Sequence, residues 1–344
     1  MEGSNYLQVL IILRIYYPQK MNTSSQIVST PLPIKEGQGG GSSIIDAHSH
    51  LWLQQDTTVD GSPIHTLKPN GSRSLFFGEE RQMLPPFMID GRNTAEVFLS
   101  NMDYAQVGAA VVVQEVIDGN QNAYLRQVQR QYPDRFFCMG MAWNLEEAEA
   151  VAASGLKGLA FPGHRMTESL LTLLPVFKMM EQRGMIVSMC LADGDRQVGE
   201  LREVIEECPR LKIAIGHLGM ADQPVTPPWE NESWRQEILL ARHENVMVES
   251  GGITWLYNSE FYPFPSAVRA IREAADLVGW DKLMWGSDYP RTITAITYRM
   301  SYDFITKSAN LTASQKSAFL GENAHRFYGF GELPELPYVK NMSE

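Results

Sequence analysis

From residue 43 onward the chain alternates short, almost continuously apolar runs with longer stretches in which apolar residues recur three and four apart. The runs are 43–50 (SIIDAHSH), 108–115 (GAAVVVQE), 136–142 (FFCMGMA), 155–161 (GLKGLAF), 185–191 (MIVSMCL), 211–217 (LKIAIGH), 245–250 (NVMVES) and 282–288 (KLMWGSD). Strands buried on both faces of a parallel sheet need such unbroken apolarity. Helical periodicity fills the gaps, in 93–107, 122–134, 145–154, 170–184, 197–209, 233–244 and 264–280. The first of these helices has Asn93 as its expected N-cap, with Glu96 three residues on. Right-handed crossovers place successive parallel strands side by side. Eight such units predict an α/β fold, a single-domain (β/α)8 TIM barrel, in preference to an open doubly wound sheet.

The expected organisation is a disordered tail or extension over 1–42, the barrel over 43–332 and a C-terminal tail over 333–344. The first segment ends in a stretch rich in Ser, Thr, Pro and Gly, which buries too little surface to offset its ordering entropy. Two connections are long. Residues 51–92 read as a Gly-, Pro- and Asn-rich loop, either a lid or disordered, and 251–266 as an aromatic one. Both leave the C-terminal ends of barrel strands, where such enzymes carry their chemistry.

Composition narrows the classes. The charge of −11 argues against a nucleic-acid surface. The best apolar run, Leu7–Tyr17, is too short to span a bilayer and is broken by Arg14. It also lacks a basic flank and a cleavage site, so it reads as an extraneous extension with Met21 as an alternative start. The three cysteines, Cys138, Cys190 and Cys208, form no disulfide framework and fit a reducing, cytoplasmic compartment.

The chemistry concentrates at strand ends. In DAHSH, alternation puts Asp46, His48 and His50 on one face, and two imidazoles at i and i+2 can grip one cation. Asp288 ends the last run, in WGSDYP, where a carboxylate can ligate a metal or take a proton from water. His217 ends the sixth run and is suited to proton handling near neutral pH. Around them Glu115, His164, Arg165 and Arg291, with Trp52 and Trp255 on the long loops, are candidates to bind an oxygen-rich ring.

The residues Asp46-Ala47-His48-Ser49-His50, His217, Trp285-Gly286-Ser287-Asp288-Tyr289-Pro290 and the closing NAHRFYGF (323–330) resemble the amidohydrolase superfamily, specifically its amidohydrolase-related branch of lactonases and decarboxylases. The resemblance implies one divalent metal, usually zinc, held by His48, His50 and Asp288 and assisted by His217. In one place the chain departs from the pattern. Cys190 stands where that branch carries a strand 5 histidine. A thiolate is a competent zinc ligand, and Asp193 is a substitute nearby. The leading expectation is a lactonase acting on a sugar-derived or carboxylated ring, with Asp288 activating water and the metal, or His217 in its absence, polarising the carbonyl. The alternatives are a metal-dependent decarboxylase and an inactive binding relative. The expected partner is a small molecule, and barrels of this type often pair as homodimers.

Overall fold

The computed structural model describes residues 43–340 and 342, except 193 and 221–226. The expectations for residues 1–42 and for Asp193 lie outside the described residues.

The first barrel strand is β1 (Ile44–Ser49). Residues 51–92 follow it and are not the structureless loop expected. They fold into a four-stranded antiparallel meander, β2 (Asp56–Val59), β3 (Ser62–Thr66), β4 (Arg73–Phe76) and β5 (Glu79–Gln82). Two tight turns drive this. Asp60–Gly61 and Phe77–Gly78 each hold positive φ at both positions, matching the twist of a two-residue hairpin. Asp-Gly between short strand-forming runs is the hairpin signal in this segment. Val59 and Ile64 pin the meander to Ile117, and a second small cluster joins Trp52, Leu84 and Met88.

The barrel continues with β6 (Val107–Val112), β7 (Phe136–Gly140), β8 (Gly158–Pro162), β9 (Ile186–Cys190), β10 (Lys212–Ile215), β11 (Val246–Glu249) and the short β12 (Leu283–Met284). The eight strands are parallel and lie in chain order. Every residue of β7, β8 and β9 is buried, as unbroken apolarity requires. The eighth strand is shorter than its apolar run: past Met284, Trp285 N donates to Phe319 O, and Asp288 takes φ 57°. It still closes the ring: Ala47 N donates to Trp285 O, Asp288 N to His48 O and His50 N to Tyr289 O, at 2.7–2.9 Å. The fold is therefore a (β/α)8 TIM barrel.

Its interior is a compact cluster to which each strand contributes, including Ile45, Ala47, Val111, Met139, Ala214, Met247 and Met284. Phe327 and Tyr328, from the helix Asn323–Tyr328, join that cluster. The larger cluster lies between strands and helices. The expected N-cap does not form. Thr94 precedes the helix Ala95–Ala105, and the Tyr124 hydroxyl accepts from Ala95 N at 2.8 Å. Asn93 instead donates its Nδ2 to His50 O at 2.6 Å, steadying the end of β1.

Candidate active site

The site opens at the C-terminal ends of the strands. All eleven candidate side chains, His48, His50, Trp52, Glu115, His164, Arg165, Cys190, His217, Trp255, Asp288 and Arg291, line one cavity. Asp46 is not among its lining. Ile45 and Ala47 take the inward positions of β1, so Asp46 turns away, and its carboxylate accepts from Ser287 N, Ser287 Oγ and Tyr298 Oη at 2.5–2.8 Å. Burial pushes that carboxyl up to about 6 against these hydrogen bonds. The shared face predicted by alternation fails because the β1 register breaks between Asp46 and Ser49.

His48, His50 and Asp288 converge. His48 Nε2 lies 3.2 Å from His50 Nε2, which lies 3.0 Å from Asp288 Oδ1. Each ligand atom is within 4.8 Å of the others. Behind the group, His48 and Asp288 are held by hydrogen bonds, whereas His50 Nδ1 makes none to a described residue. His48 Nδ1 is 2.7 Å from Glu249 Oε1, and His50 Nδ1 is 3.5 Å from Asp118 Oδ2. Trp255 Nε1 donates to Asp288 Oδ2 at 2.6 Å. Gln55, on the approach to the meander, donates to Asp118 Oδ1 at 2.9 Å.

This arrangement fits a divalent cation. With its Nδ1 proton directed at Glu249, a neutral His48 turns a bare Nε2 toward His50 and Asp288. Two ring nitrogens 3.2 Å apart cannot both point a lone pair at one another without a proton or a cation between them. Two imidazoles and a carboxylate form a hard-to-borderline donor set suited to zinc. Cys190 lines the cavity but stands outside this group of ligand atoms. Burial, reinforced by Glu249 and Glu115, pushes its thiol well above the usual cysteine range.

Electrostatics divide the roles. Burial pushes the Asp288 carboxyl up, but the His50 hydrogen bond and the Arg291 and histidine charges outweigh it and hold it well below the usual carboxylate range. Burial opposes charge on His48, yet Glu249 and then Asp288 raise it to about 9. Burial and the neighbouring His48 lower His217 to about 4, so its ring is neutral at pH 7. His217 Nδ1 faces Gly251 O at 2.8 Å and so carries the ring's only proton. A neutral ring with its proton on Nδ1 offers an unprotonated Nε2 to the cavity.

Glu249 was absent from the candidate set. It is 1% exposed, ends β11, and accepts from His217 N at 3.2 Å and from Gly251 N as well as facing His48. Gly216 and Gly286 exist here for space. A methyl on Gly216 would lie 2.5 Å from Cys190 Sγ, and one on Gly286 would lie 2.7 Å from His48 Cβ.

A family model described as amidohydrolase matches residues 45–330, and the chain belongs to the amidohydrolase family. It is therefore a hydrolase-type enzyme. A curated relative, L-fucono-1,5-lactonase of Burkholderia ambifaria, is 35% identical over 86 residues, which are 24% of this chain and 27% of that protein. The chain thus matches only about a quarter of that relative's length. Among solved structures, a probable 2-pyrone-4,6-dicarboxylic acid hydrolase from Acinetobacter baumannii superposes with TM-score 0.63 at 18% identity, over 84% of this chain and all of that one. An amidohydrolase from Burkholderia multivorans with bound zinc gives 0.60 at 17%, over 84% and 99%. The 5-carboxyvanillate decarboxylase of Sphingomonas paucimobilis gives 0.50 at 18%, over 72% and 86%. At these identities the structures speak to the fold. Among the described residues no helix is long and apolar enough to cross a membrane.

Proposed function

We propose that this protein is a metal-assisted hydrolase that opens a small lactone. The observation that carries the reading is the convergence of His48 Nε2, His50 Nε2 and Asp288 Oδ1 in a cavity whose wall bears guanidinium and indole groups. Family membership and the partial match to a lactonase support it. Bound at the three ligands, a divalent ion, with zinc the best fit to the donors, supplies Lewis acidity and lowers the pKa of water.

The chain's own residues supply the rest. Asp288 is ionised, so it can take a proton from water attacking the lactone carbonyl. Trp255 holds its far oxygen and fixes the direction of that transfer. The new C–O bond forms as the ring C–O bond breaks, and the Asp288 carboxyl returns the proton to the leaving alkoxide. His217 offers its Nε2 lone pair to orient the water. Arg291 lies over the Trp255 ring, lines the same cavity and is placed to hold substrate oxygen.

The test is proton release from a panel of lactones with Asp288→Asn alongside. Loss of proton transfer should lower the rate by roughly 100- to 10,000-fold, with the fold retained by circular dichroism. A folded Asp288→Asn that keeps full activity overturns the mechanism. Carbon dioxide release from unsaturated acids in place of acid release from lactones would identify a decarboxylase instead.

A further inference from the structure

The cavity wall has an uneven distribution of charge. Among its described lining residues the fixed cations are Arg165 and Arg291, and the carboxylates are Glu115, Asp118 and Asp288. The Arg165 charge is already offset by a carboxylate. Its Nε donates to Glu115 Oε1 at 3.0 Å, and its guanidinium lies over the Phe77 ring at the meander's tip. Glu115 is itself fully engaged, taking Val116 N at 2.7 Å on Oε1 and facing His164 Nε2 at 3.2 Å through Oε2. That leaves Arg291, which has no hydrogen bond or ion pair to a described residue and lies over the Trp255 ring at 5.3 Å. Its charge is shared between Asp288 and Asp118.

A carboxylate seated on Arg165 would compete with Glu115, and one seated on Arg291 would stand as a like charge beside Asp118 and Asp288, which already share that guanidinium's charge. Neutral hydroxyls fare better. They can donate to Asp118 and accept from the free amines of both guanidiniums, while Trp52 and Trp255 offer indole surface to the C–H faces of a ring. Resting on the lactone-opening reading above, we infer that the site takes a neutral, hydroxyl-rich lactone and selects against lactones with a free carboxylate. Glu115 sets that choice by cancelling Arg165.

Matched pairs test this with the intact protein and a supplied divalent metal. D-Glucono-1,4-lactone and D-glucaro-1,4-lactone share one ring and differ only in a terminal hydroxymethyl or carboxylate, and the galactono and galactaro pair repeats the contrast at another stereochemistry. The neutral member should be favoured in kcat/KM by on the order of 10- to 100-fold, the scale of one unscreened like charge several ångströms away. Glu115→Gln frees the Arg165 charge and should narrow the ratio about 10-fold, chiefly through KM of the carboxylated member. A wild-type preference for the carboxylated member, or a folded Glu115→Gln with an unchanged ratio, overturns the inference and leaves lactone opening intact. Turnover of neither pair overturns the lactone reading and this inference with it.

Discussion

His217 makes the stability of the folded protein depend on acid in a calculable way. Its ring is buried, sits 4.6 Å from the His48 ring by centroids, and directs Nδ1–H at Gly251 O. The folded state takes up a proton there only near pH 4, whereas an unfolded histidine does so near 6.5. The folded pKa lies below the unfolded one, so the contribution is complete above pH 6.5 and is lost as pH falls toward 4. By linkage the loss is about 1.4 kcal/mol at pH 5.5 and about 2.5 kcal/mol at pH 4.5. His217→Asn isolates this term. Asparagine tolerates the left-handed backbone that His217 adopts at φ 55°, keeps an N–H donor for Gly251, and does not titrate. Urea unfolding of both proteins in chelator, at pH 7.5, 5.5 and 4.5, gives their stability difference. That difference should shift by about 2.5 kcal/mol against the wild type between the extremes. A difference constant with pH would refute the reasoning, because it would mean that the buried ring is not neutral or does not titrate on unfolding.

Two further outcomes follow from the metal-ready group. Glu249→Gln should weaken zinc binding about 10- to 100-fold, since an amide no longer enforces the Nδ1–H form of His48; competition with a chromogenic chelator at pH 9 measures this, and unchanged affinity in the folded variant counts against Glu249 as a positioning residue. Cys190→Ser should retain the metal at wild-type stoichiometry by elemental analysis, because His48, His50 and Asp288 complete the group without it; loss of metal would make Cys190 a ligand.

Much of this molecule is legible in its residues. Unbroken apolar runs define the barrel strands because a strand covered on both faces has no polar position to spare. The rim residues are legible because a histidine, carboxylate or arginine at the end of such a run has only the barrel mouth to occupy. The same signal marks Glu249, near the end of NVMVES, as it marks Glu115 at the end of VVVQE. The meander was legible only at Asp60–Gly61, since its strands are short and largely polar.

Tertiary structure decided what local pattern cannot carry. Asp46 leaves the mouth because β1 loses register after it, a property of its pairing with β6 and not of its own alternation. The eighth strand stops at Met284, where Trp285 N turns to Phe319 O, and the left-handed Asp288 beyond it sets its carboxylate beside His50, 238 residues away in sequence. Partnership sets charge state in the same way. His48 and His217 are the same residue type and both are buried, yet Glu249 raises the proton affinity of His48, while burial and the neighbouring His48 lower that of His217. The sequence alone marks the strand ends, and with them most of the side chains that reach the mouth. Which of them converge, and which carry a proton there, depends on distances that only the closed barrel sets.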